Sequence, residues 1–147
     1  RIGLPRHLVI PRVVVKSLVV ALAAASALFL VDQYFAGFAG LFGLYPVNDL
    51  WWLFHHHAES IVFALPFAWP TLYDRLPGDR WLKGLTYGLL WWLLVPFLIG
   101  TVAARLGAGT FEQFYAPLPS ILSAMALNLL WGFLLGVLYA PPETAIE

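Results

Sequence analysis

The chain has no cysteine, which excludes disulfides, thiolate nucleophiles and thiolate metal ligands and leaves its redox compartment unmarked. Charge is nearly as scarce. Asp, Glu, Lys and Arg make up 11% of residues, against roughly a quarter in an average soluble domain. Acids and bases balance to a net charge of zero, which argues against a nucleic-acid partner. Four spans with their loops are expected to use up these 147 residues and to leave no room among them for a soluble catalytic domain.

What is present is apolar: 61% of residues are hydrophobic and the mean hydropathy is +0.81. This composition predicts an all-α, polytopic membrane protein forming one domain over residues 1–147. Four apolar runs predict four transmembrane helices in a compact bundle, at about residues 13–31, 50–73, 81–104 and 118–139. In span one the basic start and the tract Ala23 to Ala27 also outline a secretory signal, but the apolar run continues past the small residues. Asp32 is expected to close this span, and the Gly-punctuated, aromatic stretch from Gln33 to Asn48 to lie at the interface, with Tyr34 and Tyr45 at headgroup depth. Asp49 is a reasonable N-cap for span two, and Pro66 and Pro70 should bend its second half. The hairpin from Asp74 to Arg80 ends it. Lys83 is placed to snorkel at the start of span three, while Pro96 and Gly100 break its far end. Gly84 and Gly88 in span three, and Gly132 and Gly136 in span four, form two G-x-x-x-G faces expected to pack within the same bundle.

Orientation follows from the basic residues. Arg1, Arg6, Arg12, Lys16, Arg75, Arg80 and Lys83 fall on one side and only Arg105 on the other, which predicts that both termini are cytoplasmic. The polar residues of span two then lie near the outer face.

That span, LWWLFHHHAESIVFALPFAWPTLY, extends about 36 Å as a helix, with His55, His56, His57 and Glu59 within or at the edge of the hydrocarbon. Ionisable groups at that depth mark a site by default. Consecutive helical residues point about 100° apart, so the three histidines cannot share one ion. Glu59 shares a face with His55 at i+4 and with His56 at i+3, which permits one carboxylate–imidazole pair. No closed ligand spacing is present and no metal is expected; further ligands would have to come from Asp32, Asp49 or Glu112. A haem held by two axial histidines is disfavoured, because His7 lies on the opposite side. Asn128 is the strongly polar side chain of span four. It completes a polar intramembrane cluster, of which His57, Glu59 and Asn128 are expected to act as a structural lock between spans two and four. In that reading His57 is the inward member of the triplet, and Glu59→Gln leaves assembly with partners intact. Trp69, Trp91, Trp92 and Trp131 lie deeper than the usual interfacial belt. They read as aromatic packing or, more sharply, as contacts for a bound lipid, quinone or pigment.

The stretches H-A-E-S-I-V-F-A (His57 to Ala64), Y-D-R-L-P-G-D-R-W-L-K-G-L-T-Y-G (Tyr73 to Gly88) and N-L-L-W-G-F-L-L-G-V-L-Y (Asn128 to Tyr139) carry a resemblance. They are similar to an uncharacterised bacterial family of small four-helix integral membrane proteins, a domain of unknown function, over spans two to four. The L-P-G-x-x-W-L-K-G-L hairpin is the most specific part. The resemblance implies a histidine early in span two, here His57, and a second in span four where this chain has Asn128, a departure that weakens any two-histidine metal site. It implies a fold and the bacterial inner membrane, and no reaction.

Three function classes follow. A non-catalytic accessory or structural subunit, packed against a larger respiratory or photosynthetic membrane complex, accounts for the broad apolar surface and the lack of a catalytic motif. Its partners would be membrane lipids and other membrane subunits. A small transporter or channel would use the outer His/Glu site as a gate. A metal- or quinone-dependent membrane enzyme stands third.

Overall fold

The computed structural model describes residues 6–39, 50–94, 105–106 and 118–141. Among them the chain is all-helical: α1 (Arg6–Ala39), α2 (Leu50–Ala68), α3 (Pro70–Arg75), α4 (Arg80–Trp92) and α5 (Leu118–Leu138). Two stretches, Leu8–Tyr34 in α1 and Ile121–Leu138 in α5, are long and apolar enough to cross a membrane. Asp49, Tyr45, Pro96, Gly100 and Glu112, which the sequence singled out, lie outside the described residues.

Helix α1 is longer than its apolar run suggests. It starts at Arg6, runs through Pro11 and continues past Asp32 to Ala39. Asp32 therefore does not end it. The side chain is fully buried and its carboxylate accepts a hydrogen bond from Gln33 Nε2 at 3.0 Å, so it serves a packed face and not a terminus. The expected interfacial stretch is helical as far as Ala39, with Tyr34 exposed.

The second apolar run divides at Trp69, and proline chemistry says why. Pro70 disfavours the helical conformation at the residue before it, and Trp69 is extended at φ −71°, ψ 124°. Pro70 also lacks an N–H, so the Pro66 carbonyl takes Trp69 N–H at 3.2 Å instead. A new helix then starts with Pro70 in its first turn, where the fixed φ suits it. After α3, Pro77 and Gly78 turn the chain. Gly78 sits at φ +76°, the left-handed conformation that follows Pro in a type II turn.

The helices pack side by side in alternating directions. Ser60 of α2 lies against Ala21 of α1 and His57 against Ser26, so these two run antiparallel. The fully buried Ala21, Ala24 and Ala25 let α2 approach closely. Gly84 and Gly88 of α4 meet Gly132 and Gly136 of α5 at backbone contact, also antiparallel. A Cβ added at Gly84 would stand 2.0 Å from the Gly132 carbonyl oxygen, and one at Gly132 would stand 2.2 Å from that of Gly84. The two G-x-x-x-G faces therefore occupy each other. Between α2 and α4 the contact is aromatic: Phe63 stacks on Trp91 at 4.4 Å, and the Tyr87 hydroxyl donates to the Phe63 carbonyl.

Basic side chains close the helix ends where the alternating directions bring C-termini together. Arg80 donates from Nε to the Tyr139 carbonyl at 3.1 Å and from Nη2 to that of Val137 at 2.7 Å, and Lys16 Nζ reaches that of Ala140 at 2.9 Å. Val137 is one of the orphan carbonyls in the last turn of α5 and the other two follow directly after it, so the cations also meet the helix's negative dipole end. Lys83 does the same for α3. It donates to Tyr73 and Leu76 carbonyls at 2.7 and 2.8 Å and lies over the Tyr73 ring. The snorkelling expected of Lys83 is replaced by this inward capping, because α3 ends within its reach.

Candidate functional site

At the end opposite these caps, the histidine triplet is distributed around α2 as the 100° step requires. His55 points outward and pairs with Glu59, Nδ1 to Oε1 at 2.9 Å, both side chains more than half exposed at 59% and 53%. Trp51 and Phe54 flank this pair, their rings 6.0 Å apart, with Trp51 6.4 Å from His55. Trp51, Phe54, His55, Glu59, Val62 and Leu65 form one exposed stripe down α2, which the exposed Trp69 extends past the helix end.

His56 and His57 turn inward, ring against ring at 5.4 Å. His57 Nδ1 shares a hydrogen bond with the Leu53 carbonyl at 2.9 Å, one turn back, and Nε2 with Ser26 Oγ of α1 at 3.2 Å. The side chain of Asp32 is buried on α1, as are those of Ala21, Ala24, Ala25 and Leu28. The inward histidines thus serve the contact between α1 and α2. Among the described residues, no three of His, Asp and Glu converge where one ion would sit.

Asn128 does not join them. Its amide donates to the Ala124 carbonyl of its own helix at 2.9 Å, and its backbone faces Gly88 of α4. Glu59 meanwhile faces away from α5. The expected lock between His57, Glu59 and Asn128 is not formed, because each takes another partner: Ser26 for His57, His55 for Glu59 and the Ala124 carbonyl for Asn128.

A different lock occupies the interior one turn below His57. Trp131 Nε1 of α5 donates to Ser60 Oγ of α2 at 2.7 Å, and Ser60 donates onward to the Ala21 carbonyl of α1 at 3.4 Å. Both side chains are buried, and three helices are joined through two hydrogen bonds. A signal for it was in the sequence: Ser60, Ala64 and Phe67 fall at i, i+4 and i+7, the stripe that α2 buries. Trp131 is therefore committed to a protein partner. Of the other deep tryptophans, Trp91 packs on Phe63 and Tyr87, Trp92 is half-buried, and Trp69 is exposed at the break between α2 and α3.

No family model, curated protein or solved structure matches this chain. Residue geometry carries the functional reading.

Proposed function

We propose that this chain is a small multi-pass protein of the bacterial inner membrane, a bundle of four transmembrane helices with both termini cytoplasmic. In this reading it serves as a non-catalytic accessory subunit packed against a larger membrane complex, respiratory or photosynthetic in kind. The four apolar runs and the one-sided distribution of basic residues support the topology.

One observation carries the subunit role. The His55–Glu59 pair sits in the middle of an otherwise apolar, outward stripe, with Glu59 about 14 Å along α2 from Leu50. Ionisable groups within the hydrocarbon face a bundle interior, a cavity or a partner. Here they face away from their own interior, so a partner subunit with a polar counterpart, framed by Trp51 and Phe54, is the surface that satisfies them. In this reading Glu59 takes part in assembly, which departs from the expectation that Glu59→Gln leaves it intact.

Purification from native membranes in mild detergent tests the role. Wild-type protein is expected to bring a partner subunit at fixed stoichiometry, and Glu59→Gln and His55→Leu to reduce its yield several-fold. Wild type arriving alone would sink the reading. Orientation is tested separately on the cysteine-free background: in intact cells an impermeant thiol reagent should label Gln113→Cys and miss Asp79→Cys.

A second reading, a small transporter or channel, is favoured by one feature. Asp32, His56, His57 and Ser26 place polar groups between α1 and α2 within apolar helices. Ion uptake by vesicles holding the protein alone, lost in Asp32→Asn, would promote it.

A further inference from the structure

A groove of about 260 Å³ runs between α1 and the end of α5, lined by Val15, Lys16, Val19, Val20, Leu138 and Ala140. Its walls are apolar, and Val15, Val19 and Leu138 are exposed. Its mouth is positive. Lys16 Nζ commits one of its three N–H donors to the Ala140 carbonyl, leaving two. Arg12, one turn away on the same face of α1, is also exposed. Arg80 adds a third positive charge at the Val137 and Tyr139 carbonyls beside Ala140.

An apolar trough that ends in clustered cations matches one kind of molecule in its two halves. We infer that this groove holds an anionic phospholipid, one acyl chain along Val15, Val19 and Leu138 and the phosphate between Arg12 and Lys16. A neutral lipid would satisfy the trough and leave the cations unmatched, and a soluble anion would do the reverse. The inference rests on the membrane reading above. With the basic end cytoplasmic, the site opens to the leaflet whose surface is negative and attracts Lys and Arg.

The experiment uses full-length protein in bilayer discs of equal parts phosphatidylglycerol and phosphatidylcholine with identical acyl chains. After transfer to mild detergent, the retained lipid is counted by native mass spectrometry. Failure of the wild type to enter discs would count against the membrane reading itself; headgroup preference addresses the site. Wild type should retain phosphatidylglycerol preferentially, and Arg12→Gln and Lys16→Gln should each lower that preference about fivefold. Arg12 caps no carbonyl among the described residues, so its variant keeps the proposal testable if Lys16→Gln unfolds. Arg75→Gln, at the same end and away from the groove, should change nothing; an equal drop would mean diffuse surface charge and overturn the site. Wild type without headgroup preference would overturn it too. Glu143 and Glu147 follow α5 in the sequence. A preference that emerges only after both are changed to Gln would assign the cations to the chain's own tail and equally overturn the proposal.

Discussion

The seam between α4 and α5 and the seam joining α1, α2 and α5 are made of opposite materials. In the first, four glycines bring two backbones together and shape selects the partner along the helices, with Arg80 hydrogen-bonding only at the end of α5. In the second, alanines set the distance while Ser60, Trp131, Ser26 and His57 supply directed hydrogen bonds. On the membrane reading proposed above there is no hydrophobic drive between helices, so close packing and hydrogen bonds are the available means, and each seam relies mainly on one of them. The two should fail differently. A shape seam breaks when an atom is added; a polar seam weakens when one is taken away.

The largest effect is expected at the glycines. Gly84→Leu or Gly132→Leu drives a side chain into facing backbone that cannot yield, and should cost about 3 kcal/mol or more by forcing α4 and α5 apart. Reversible unfolding in mixed detergent measures it. A loss under about 1 kcal/mol would show that the seam is slack.

The polar seam should lose less. Interhelical hydrogen bonds in a bilayer average about 0.6 kcal/mol and reach nearly 2, so Ser60→Ala and Trp131→Phe should each cost within that range. Their double mutant should cost less than the sum, since Trp131 and Ser60 share one bond. Strict additivity would mean that the Trp131–Ser60 bond contributes nothing. The smallest contrast is within the triplet: His57→Leu should lower thermal stability more than His55→Leu, because His57 holds Ser26 and His55 faces outward. Equal shifts would erase the distinction between inward and outward histidines.

Helix existence was legible in the sequence wherever apolar runs were long. The expected span at 118–139 matches α5 closely, and Leu76-Pro77-Gly78 ends the α2–α3 segment where proline and glycine chemistry required. Helix ends were less so. Arg6 to Arg12 looks like a polar lead, yet it is helical, because hydropathy marks membrane depth and not the extent of hydrogen bonding. The candidate site was legible as a cluster and illegible as a set of directions. Hydropathy placed His57, Glu59 and Asn128 at polar positions, but which side each faces depends on neighbours from other helices. The pairing of Ser60 with Trp131 needs the relative rotation of α2 and α5, which no local pattern contains.

The bond from Lys16 to the Ala140 carbonyl spans 124 positions of sequence. During synthesis, α1 is made before α5, and its amine has no carbonyl to hold until the turn that follows α5 has been made. Arg80 waits for the same turn. Residues made well after α1 thus act as its latch, and a chain truncated before Val137 should be recognised by quality control as unfinished even with every apolar run in place. Proteolytic turnover of such truncations, compared with one ending just after Ala140, would read out the latch directly.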